Sequence, residues 1–326
     1  MKTMRAIVLS EPGPVEHLEM KDLPIPEPPS GWVRVAVKAF DLNRSELHTR
    51  LGFAEGVTFP RVPGIECAGV IDDPADTDLQ RGQQVVTMMG GMGRTFDGGY
   101  AEYTIVPRSQ LIPFHSDLPW EILGAIPETL QTAYGSLTTG LDLQPEQSLL
   151  IRGGTSALGL ATTALAKDFG ATVFATTRRA DRVQMLSEHG VDYAIVDTGQ
   201  IAPAVRHIVP NGVDAALELV GPPTLPDTLA ATRIYGTVCF TGMLSNEWIV
   251  PNFYPIAYIP NGVRLTAYGG ESVDLPASVL QGYLDKIAAG KLKFAPARVH
   301  TLDEIRKAHD DMEHDRVGGK MVVRLS

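Results

Sequence analysis

The chain has 326 residues, 44% of them apolar and 20% charged, which is the composition of a folded globular protein and excludes a disordered or fibrous one. That length exceeds one small domain and fits two ordinary domains or one large one. With 28 Lys plus Arg against 38 Asp plus Glu the formal charge is −10, so the chain lacks the general field that gathers nucleic acid or an anionic membrane.

Two cysteines, Cys67 and Cys239, cannot build a disulfide framework or a four-cysteine zinc lobe. The stretch MKTMRAIVLSEPGPVEHLEM carries charges and prolines where a signal peptide needs an apolar core. No apolar run approaches the ~18 residues of a membrane span. These features point to a cytoplasmic protein with no membrane or nucleic-acid partner.

Taken in chain order, the first third reads as β-rich. Met4–Leu9 and Trp32–Phe40 read as strands between Pro/Gly clusters, with the proline-rich connector Leu23–Gly31 before the second. Val62–Ile71 has glycines inside an apolar run, the mark of a bent strand or a close backbone approach. Gln83–Met89 and Tyr100–Val106 are further strands, the latter after the turn signal Asp97-Gly98-Gly99. From Trp120 to Gly140 the apolar spacing is helical. Strands at Ser148–Ile151, Ala171–Thr176, Tyr193–Val196, Val213–Leu219 and Gly236–Thr241 then alternate with helices at Ala157–Phe169, Asp181–Glu188 and Leu225–Ala231. Apolar strands separated by helices imply a parallel sheet with right-handed crossovers. Helices at Leu275–Ala289 and Thr301–Glu313 and a closing strand at Gly319–Leu325 complete the chain. An α/β body spanning 120–262 therefore stands inserted in a β-rich body made of 1–119 and 263–326.

The strongest local signal is the run Leu149–Gly159, LLIRGGTSALG, in which a buried strand enters a small-residue loop that opens a helix. A dinucleotide pyrophosphate meets helix N-terminal amides in this setting, which nominates Gly153, Thr155, Ser156, Ala157, Leu158 and Gly159 as cofactor residues. Gly153 suits the tight turn, Ser156 and Ala157 stay small near phosphate, and Gly159 suits close helix–strand packing. The same text also suits a generic strand–helix turn. Roughly twenty residues past such a loop an NAD site places Asp or Glu on the ribose hydroxyls. Here Thr177 stands at the strand end, followed by Arg178, Arg179 and Arg182. A guanidinium pairs bidentately with phosphate, so these residues favour the 2′-phosphate of NADPH, against solvated surface charges as the other reading. Val220, Gly242 and Met243 lie at the ends of later parallel strands, where ligands collect in such sheets.

Five segments together carry a family resemblance: Arg152–Arg182, VPGIECAGVI (Val62–Ile71), DGGYAEYTIVP (Asp97–Pro107), DAALELVG (Asp214–Gly221) and the terminal GGKMVVRL (Gly318–Leu325). In order and spacing they resemble the medium-chain dehydrogenase/reductase superfamily, in its zinc-free quinone oxidoreductase branch related to zeta-crystallin. The resemblance implies a chaperonin-10-like catalytic domain, a six-stranded Rossmann domain and a homodimer. Zinc members read Gly-His-Glu where this chain reads Gly64-Ile65-Glu66, and isoleucine has no donor atom. No metal site is therefore expected, since catalytic zinc needs three protein ligands. By the same resemblance Asn43 stands where an asparagine donates to a carbonyl or quinone oxygen, with a plain turn residue as the alternative. His48 stands where a tyrosine is common, as a proton donor or a helix-surface residue. Thr132 matches a threonine facing the cofactor.

The expected activity is zinc-independent hydride transfer from NADPH to a quinone or an α,β-unsaturated carbonyl, with the nicotinamide performing the difficult chemistry. Three alternatives stand beside it. One is an enoyl reductase acting on a carrier- or CoA-bound chain or a natural-product enone. Another is a non-catalytic NADPH-binding sensor or scaffold. The third is a zinc alcohol dehydrogenase, which Ile65 weakens.

Overall fold

The computed structural model describes residues 2–292, 294–314, 316–317 and 319–325. The chain forms two compact units, Met1–Glu128 with Glu271–Ser326, and Thr129–Gly270. The first begins with β1 (Thr3–Leu9) and β2 (Leu18–Pro24), which pair antiparallel. It continues through β3 (Trp32–Asp41), α1 (Arg44–Leu51), β4 (Glu66–Asp73), β5 (Gln84–Met88), β6 (Tyr103–Pro107), β7 (Ile112–Pro113) and α2 (Trp120–Leu123), and α3 (Pro127–Gly135) then crosses the division, with its residues from Thr129 onward in the second unit. The second contains β8 (Ser148–Arg152), α4 (Ala157–Asp168), β9 (Thr172–Thr177), α5 (Val183–Glu188), β10 (Tyr193–Val196), α6 (Ala202–Ile208), β11 (Val213–Glu218), α7 (Leu225–Ala231), β12 (Thr232–Phe240), α8 (Pro255–Tyr258) and β13 (Arg264–Ala267). The chain returns to the first unit through α9 (Ala277–Ala288), β14 (Arg298–His300), α10 (Ile305–Glu313) and β15 (Met321–Arg324).

In the first unit a largely antiparallel sheet runs β14-β15-β3-β4-β5-β7, and β6 also pairs with β3. The alternation read in Trp32–Phe40 is its central strand: Val33, Val35, Val37 and Ala39 all point inward. Phe40 stacks on Tyr100 with ring centroids 4.4 Å apart. The strand read at Val62–Ile71 begins only at Glu66. The four residues before it instead form a backbone clasp, in which Gly98 N donates to Val62 O at 2.8 Å and Gly99 N to Gly64 O at 3.1 Å. Gly64 has φ +107, and a Cβ there would stand 2.7 Å from Gly99 N. The close approach predicted from the glycines is thus this clasp.

The second unit holds the parallel sheet β10-β9-β8-β11-β12-β13. Strand order reverses between β8 and β11, the switch point at which such sheets bind ligands. Leu149, Leu150 and Ile151 are fully buried, as expected of a strand covered on both faces. Leu150 packs with Ile201, Val205, Leu225 and Leu229 from α6, α7 and the turn before α6. The units divide at 128/129 and 270/271 rather than at 119/120 and 262/263. The second division moves because Arg264–Ala267, with no strand expected there, adds a sixth parallel strand beside β12. No helix of the described residues is long and apolar enough to cross a membrane.

Candidate functional site

Within the second unit, β8 delivers the chain into the glycine loop. Gly153 has φ +91, a left-handed conformation that favours glycine. Its N–H donates to Thr176 Oγ1 at 3.0 Å, and Gly154 N donates to Thr176 O at 2.9 Å, which ties the loop to β9. Ser156 is the N-cap of α4: its Oγ accepts from Gly159 N at 3.0 Å and donates to Gly153 O at 2.9 Å. The amides of Ala157 and Leu158, beside Thr155 at the loop tip, belong to the first turn, which no intrahelical bond reaches. Such amides and the helix dipole make an anion cradle. A Cβ on Gly159 would lie 2.7 Å from Gly154 O and 2.8 Å from Gly153 O. The close packing expected of Gly159 is therefore against the loop carbonyls.

The three arginines are not equivalent. Thr177 is buried at the end of β9, and its Oγ1 accepts from Arg179 N at 3.2 Å. Arg179 reaches Asp181, with Nε 3.0 Å from Oδ1 and a second, shorter contact from Nη2 to Oδ2. Arg182 ends the next turn, and its charge helps hold the Asp181 carboxyl below its usual range, after the Arg179 hydrogen bond. Arg178 is exposed and makes no ion pair among the described residues. Of the three, only Arg179 holds an ion pair among the described residues. Asp181, four positions past Thr177, already occupies Arg179.

A buried ion network below these loops escaped the sequence reading. Arg152, the last residue of β8, is wholly buried. It grips Asp197 with a fork, Nε to Oδ2 at 2.5 Å and Nη2 to Oδ1 at 2.9 Å, and donates from Nη1 to Asp227 Oδ2 at 2.7 Å. At the end of β11 the buried Glu218 accepts from Val220 N at 2.7 Å, Gly221 N at 3.0 Å, Thr224 Oγ1 at 2.9 Å and Thr228 Oγ1 at 2.6 Å. Burial raises the Glu218 carboxyl pKa, and these donors oppose the rise. Gly242 N donates to Glu218 O at 3.1 Å, and Ser245 N, two residues past Met243, to Val220 O at 2.9 Å, so the ends of β11 and β12 interlock. Thr132 is buried on α3, with Oγ1 donating to Gln131 Oε1 at 3.3 Å.

In the first unit, Asn43 caps α1 in a reciprocal box with Glu46. Its side chain is committed: Nδ2 donates to Glu66 Oε1 at 2.6 Å, and Oδ1 accepts from Lys320 Nζ at 3.0 Å. One of the two Nδ2 hydrogens is spent on Glu66, and the residue caps α1 over a buried cluster. Glu46 accepts from Asn43 N at 2.9 Å and Ile65 N at 2.8 Å, and burial pushes its carboxyl up to about 7. Glu66 is also pushed up to about 7, chiefly by burial. Lys320 contacts Asp41 and lies 3.8 Å from Glu128 Oε2. His48 is buried on α1, and burial, then Arg44 and Arg94, lower its pKa, so the ring is neutral at pH 7. Arg94 donates to Ser45 Oγ at 2.5 Å, on the same helix. Ile65 and Cys67 are buried, and burial raises the Cys67 thiol far above its ordinary value. Among the described residues no group of three or more His, Cys, Asp or Glu is arranged to hold a metal ion.

Two family models match the chain in the order its units suggest. The alcohol dehydrogenase GroES-like domain matches residues 29–116, and the zinc-binding dehydrogenase family matches residues 157–274. Quinone oxidoreductase from Homo sapiens is 25% identical over 99% of this chain and 98% of its own. The crystal structure of AibC superposes with a TM-score of 0.88 at 27% identity, covering 99% of this chain and 96% of that one. An NAD-dependent alcohol dehydrogenase superposes with a TM-score of 0.87 at 27% identity, covering 99% and 100%. The chain belongs to the medium-chain dehydrogenase/reductase superfamily. Within that superfamily it falls in the zinc-free quinone oxidoreductase branch, with a GroES-like domain, a Rossmann domain and an NAD(P) cofactor. The cradle at Gly153–Gly159 fits the pyrophosphate of that cofactor. The zinc named in the second family's title has no counterpart at Ile65, which offers no donor atom.

Proposed function

We propose that this reductase uses NADPH to deliver hydride to a quinone or an activated alkene, without zinc. The observation that carries the cofactor choice is Arg178, exposed and without an ion pair among the described residues, beside the neutral end of β9. An acidic residue there would take the two hydroxyls of NADH; a guanidinium takes a 2′-phosphate. The bound nicotinamide supplies the hydride. The chain's own residues bind and orient. The loop amides receive the pyrophosphate, Arg178 the 2′-phosphate, and the strand ends at Val220, Gly242 and Met243 the ribose and carboxamide. Neutral His48 offers an N–H hydrogen bond rather than an acidic proton, so water supplies the proton that balances the hydride.

The test measures NADPH and NADH oxidation against ortho- and para-quinones, enones and enoyl thioesters. Turnover with NADPH on a quinone or enone is expected. Turnover confined to enoyl thioesters selects the enoyl reductase, and none with any acceptor selects the non-catalytic binder. Arg178→Ala should weaken NADPH by about ten- to hundredfold, the ~1.5–3 kcal/mol of charge-assisted hydrogen bonding, and leave NADH unchanged. Equal losses for both cofactors would defeat the phosphate assignment.

The proposal extends to a cytoplasmic homodimer. β13 is the edge of its sheet, and Trp248, Ile249, Tyr254 and Ile256 are exposed apolar residues in the same unit. A second copy is the proposed cover. Sedimentation should give twice the chain mass, and Ile249→Glu with Ile256→Glu should give the monomer. A wild-type monomer would overturn this assignment.

A further inference from the structure

The network at the carboxyl edge of the second unit has a geometry that packing alone does not require. Arg152 and Glu218 end β8 and β11, the two strands that flank the switch point, and Asp197 directly follows β10, two strands away from β8. Each is tied to a loop that follows a strand. Asp197 Oδ1 accepts from Gly199 N at 2.9 Å, and Glu218 holds Val220 and Gly221. One hydroxyl joins the two halves: Thr228 Oγ1 donates to Glu218 Oε2 at 2.6 Å and stands 3.4 Å from Arg152 Nη1. A hydroxyl can donate once and accept at the same time, which lets a single atom serve both charged partners. Asp227, the residue before it, accepts from Arg152 and from Ile201 N at 2.7 Å, which adds the start of α6.

We propose that Arg152, Thr228 and Glu218 are positioning residues for the dinucleotide, with the Thr228 hydroxyl coupling the pyrophosphate loop after β8 to the loop after β11. This rests on the reading of the second unit as the NAD(P) site. None of the three groups is placed against the cofactor. They act by holding two loops in one arrangement, so the ordering cost is met before binding. Buried polar networks that are fully satisfied specify a single conformation, and removing one member releases its neighbours.

The experiment compares wild type, Thr228→Val and Thr228→Ser in the full chain. Dissociation constants for NADPH and NADH are measured by calorimetry, and thermal midpoints are recorded for each protein. Valine keeps the shape and deletes the hydroxyl. Thr228→Val is expected to raise both dissociation constants about three- to tenfold, the effect of one lost hydrogen bond, with kcat at saturating cofactor unchanged. Serine restores the hydroxyl and should restore both constants. Where Thr228→Val does not fold, Glu218→Gln serves instead, since its amide turns a donor toward groups that need an acceptor; it too should weaken both cofactors. A purely structural role lowers the midpoint and leaves the constants of the folded protein alone, and that result overturns the proposal. So does a Thr228→Ser variant that binds no better than Thr228→Val. A wild type that binds neither cofactor defeats the NAD(P) reading itself; a wild type that binds, with Thr228→Val binding equally well, defeats only the coupling.

Discussion

Replacing Gly159 by valine is expected to abolish measurable dinucleotide binding. The position lies in the first turn of α4, and its missing side chain leaves room for the carbonyls of Gly153 and Gly154. A Cβ would stand at 2.8 and 2.7 Å from those oxygens, closer than real contacts allow, and both are backbone atoms that cannot swing aside. Valine adds two more carbons to the same space. Either the helix start or the loop must therefore move. Movement also breaks the Ser156 cap, because Ser156 Oγ receives Gly159 N itself. Overpacking of this kind costs about 1–3 kcal/mol in stability. The loss in binding should be larger, since phosphate is held by charge-assisted bonds of ~1.5–3 kcal/mol each and the cradle supplies more than one. At least a hundredfold rise in the dissociation constant for NADPH is expected from titration calorimetry. Gly282→Ala in α9 is the control. A Cβ there meets nothing within 4 Å, so affinity should not change. Retained affinity in Gly159→Val would show that the cofactor lies elsewhere.

Elements whose period and punctuation agree were readable before any coordinates. β3 alternates cleanly, and the strands of the second unit are short apolar runs closed by glycine. The cradle was readable for the same reason: Gly153, Ser156 and Gly159 are local, and their roles follow from a strand meeting a helix. The misses are of two kinds. β2 and β13 escaped because each is half exposed and its pattern is mixed, so only pairing with a neighbour declares it a strand. The ion networks escaped because their partners are distant in sequence. Lys320 and Asn43 are 277 positions apart, and Arg152 and Asp227 are 75 apart. One usable signal was passed over. Arg152 is a charge at the end of a strand read as buried, and a buried arginine requires carboxylates somewhere. The capping box of Asn43 with Glu46, by contrast, is local and visible in the sequence.

Replacing Lys320 by methionine should cost the first unit about 3–5 kcal/mol at neutral pH, the usual penalty for stranding a buried charge. The ammonium is the cation of a cluster that contains Asp41, Glu66 and Glu128. It touches Asp41, which is fully buried, accompanies Asn43 Oδ1 at 3.0 Å and stands 3.8 Å from Glu128. Methionine fills a similar volume, so the loss is electrostatic rather than a cavity. The pH dependence follows from the carboxyls. Burial raises Asp41 well above its ordinary range and Glu46 and Glu66 to about 7. An acid whose pKa is higher in the folded state stabilises fully below its unfolded value, near 4.5 for glutamate, and loses that contribution as pH rises through about 7. Wild-type stability from this cluster should therefore fall between pH 5.5 and pH 8. In Lys320→Met the charge that opposed the Asp41 and Glu66 shifts is gone, so the fall should be steeper and should extend further. Urea unfolding at pH 5.5 and pH 8 reads this directly. The deficit relative to wild type should be larger at pH 8 and should shrink at pH 5.5, where Glu66 takes up a proton. An equal deficit at both values would mean that the ammonium contributes packing rather than charge balance.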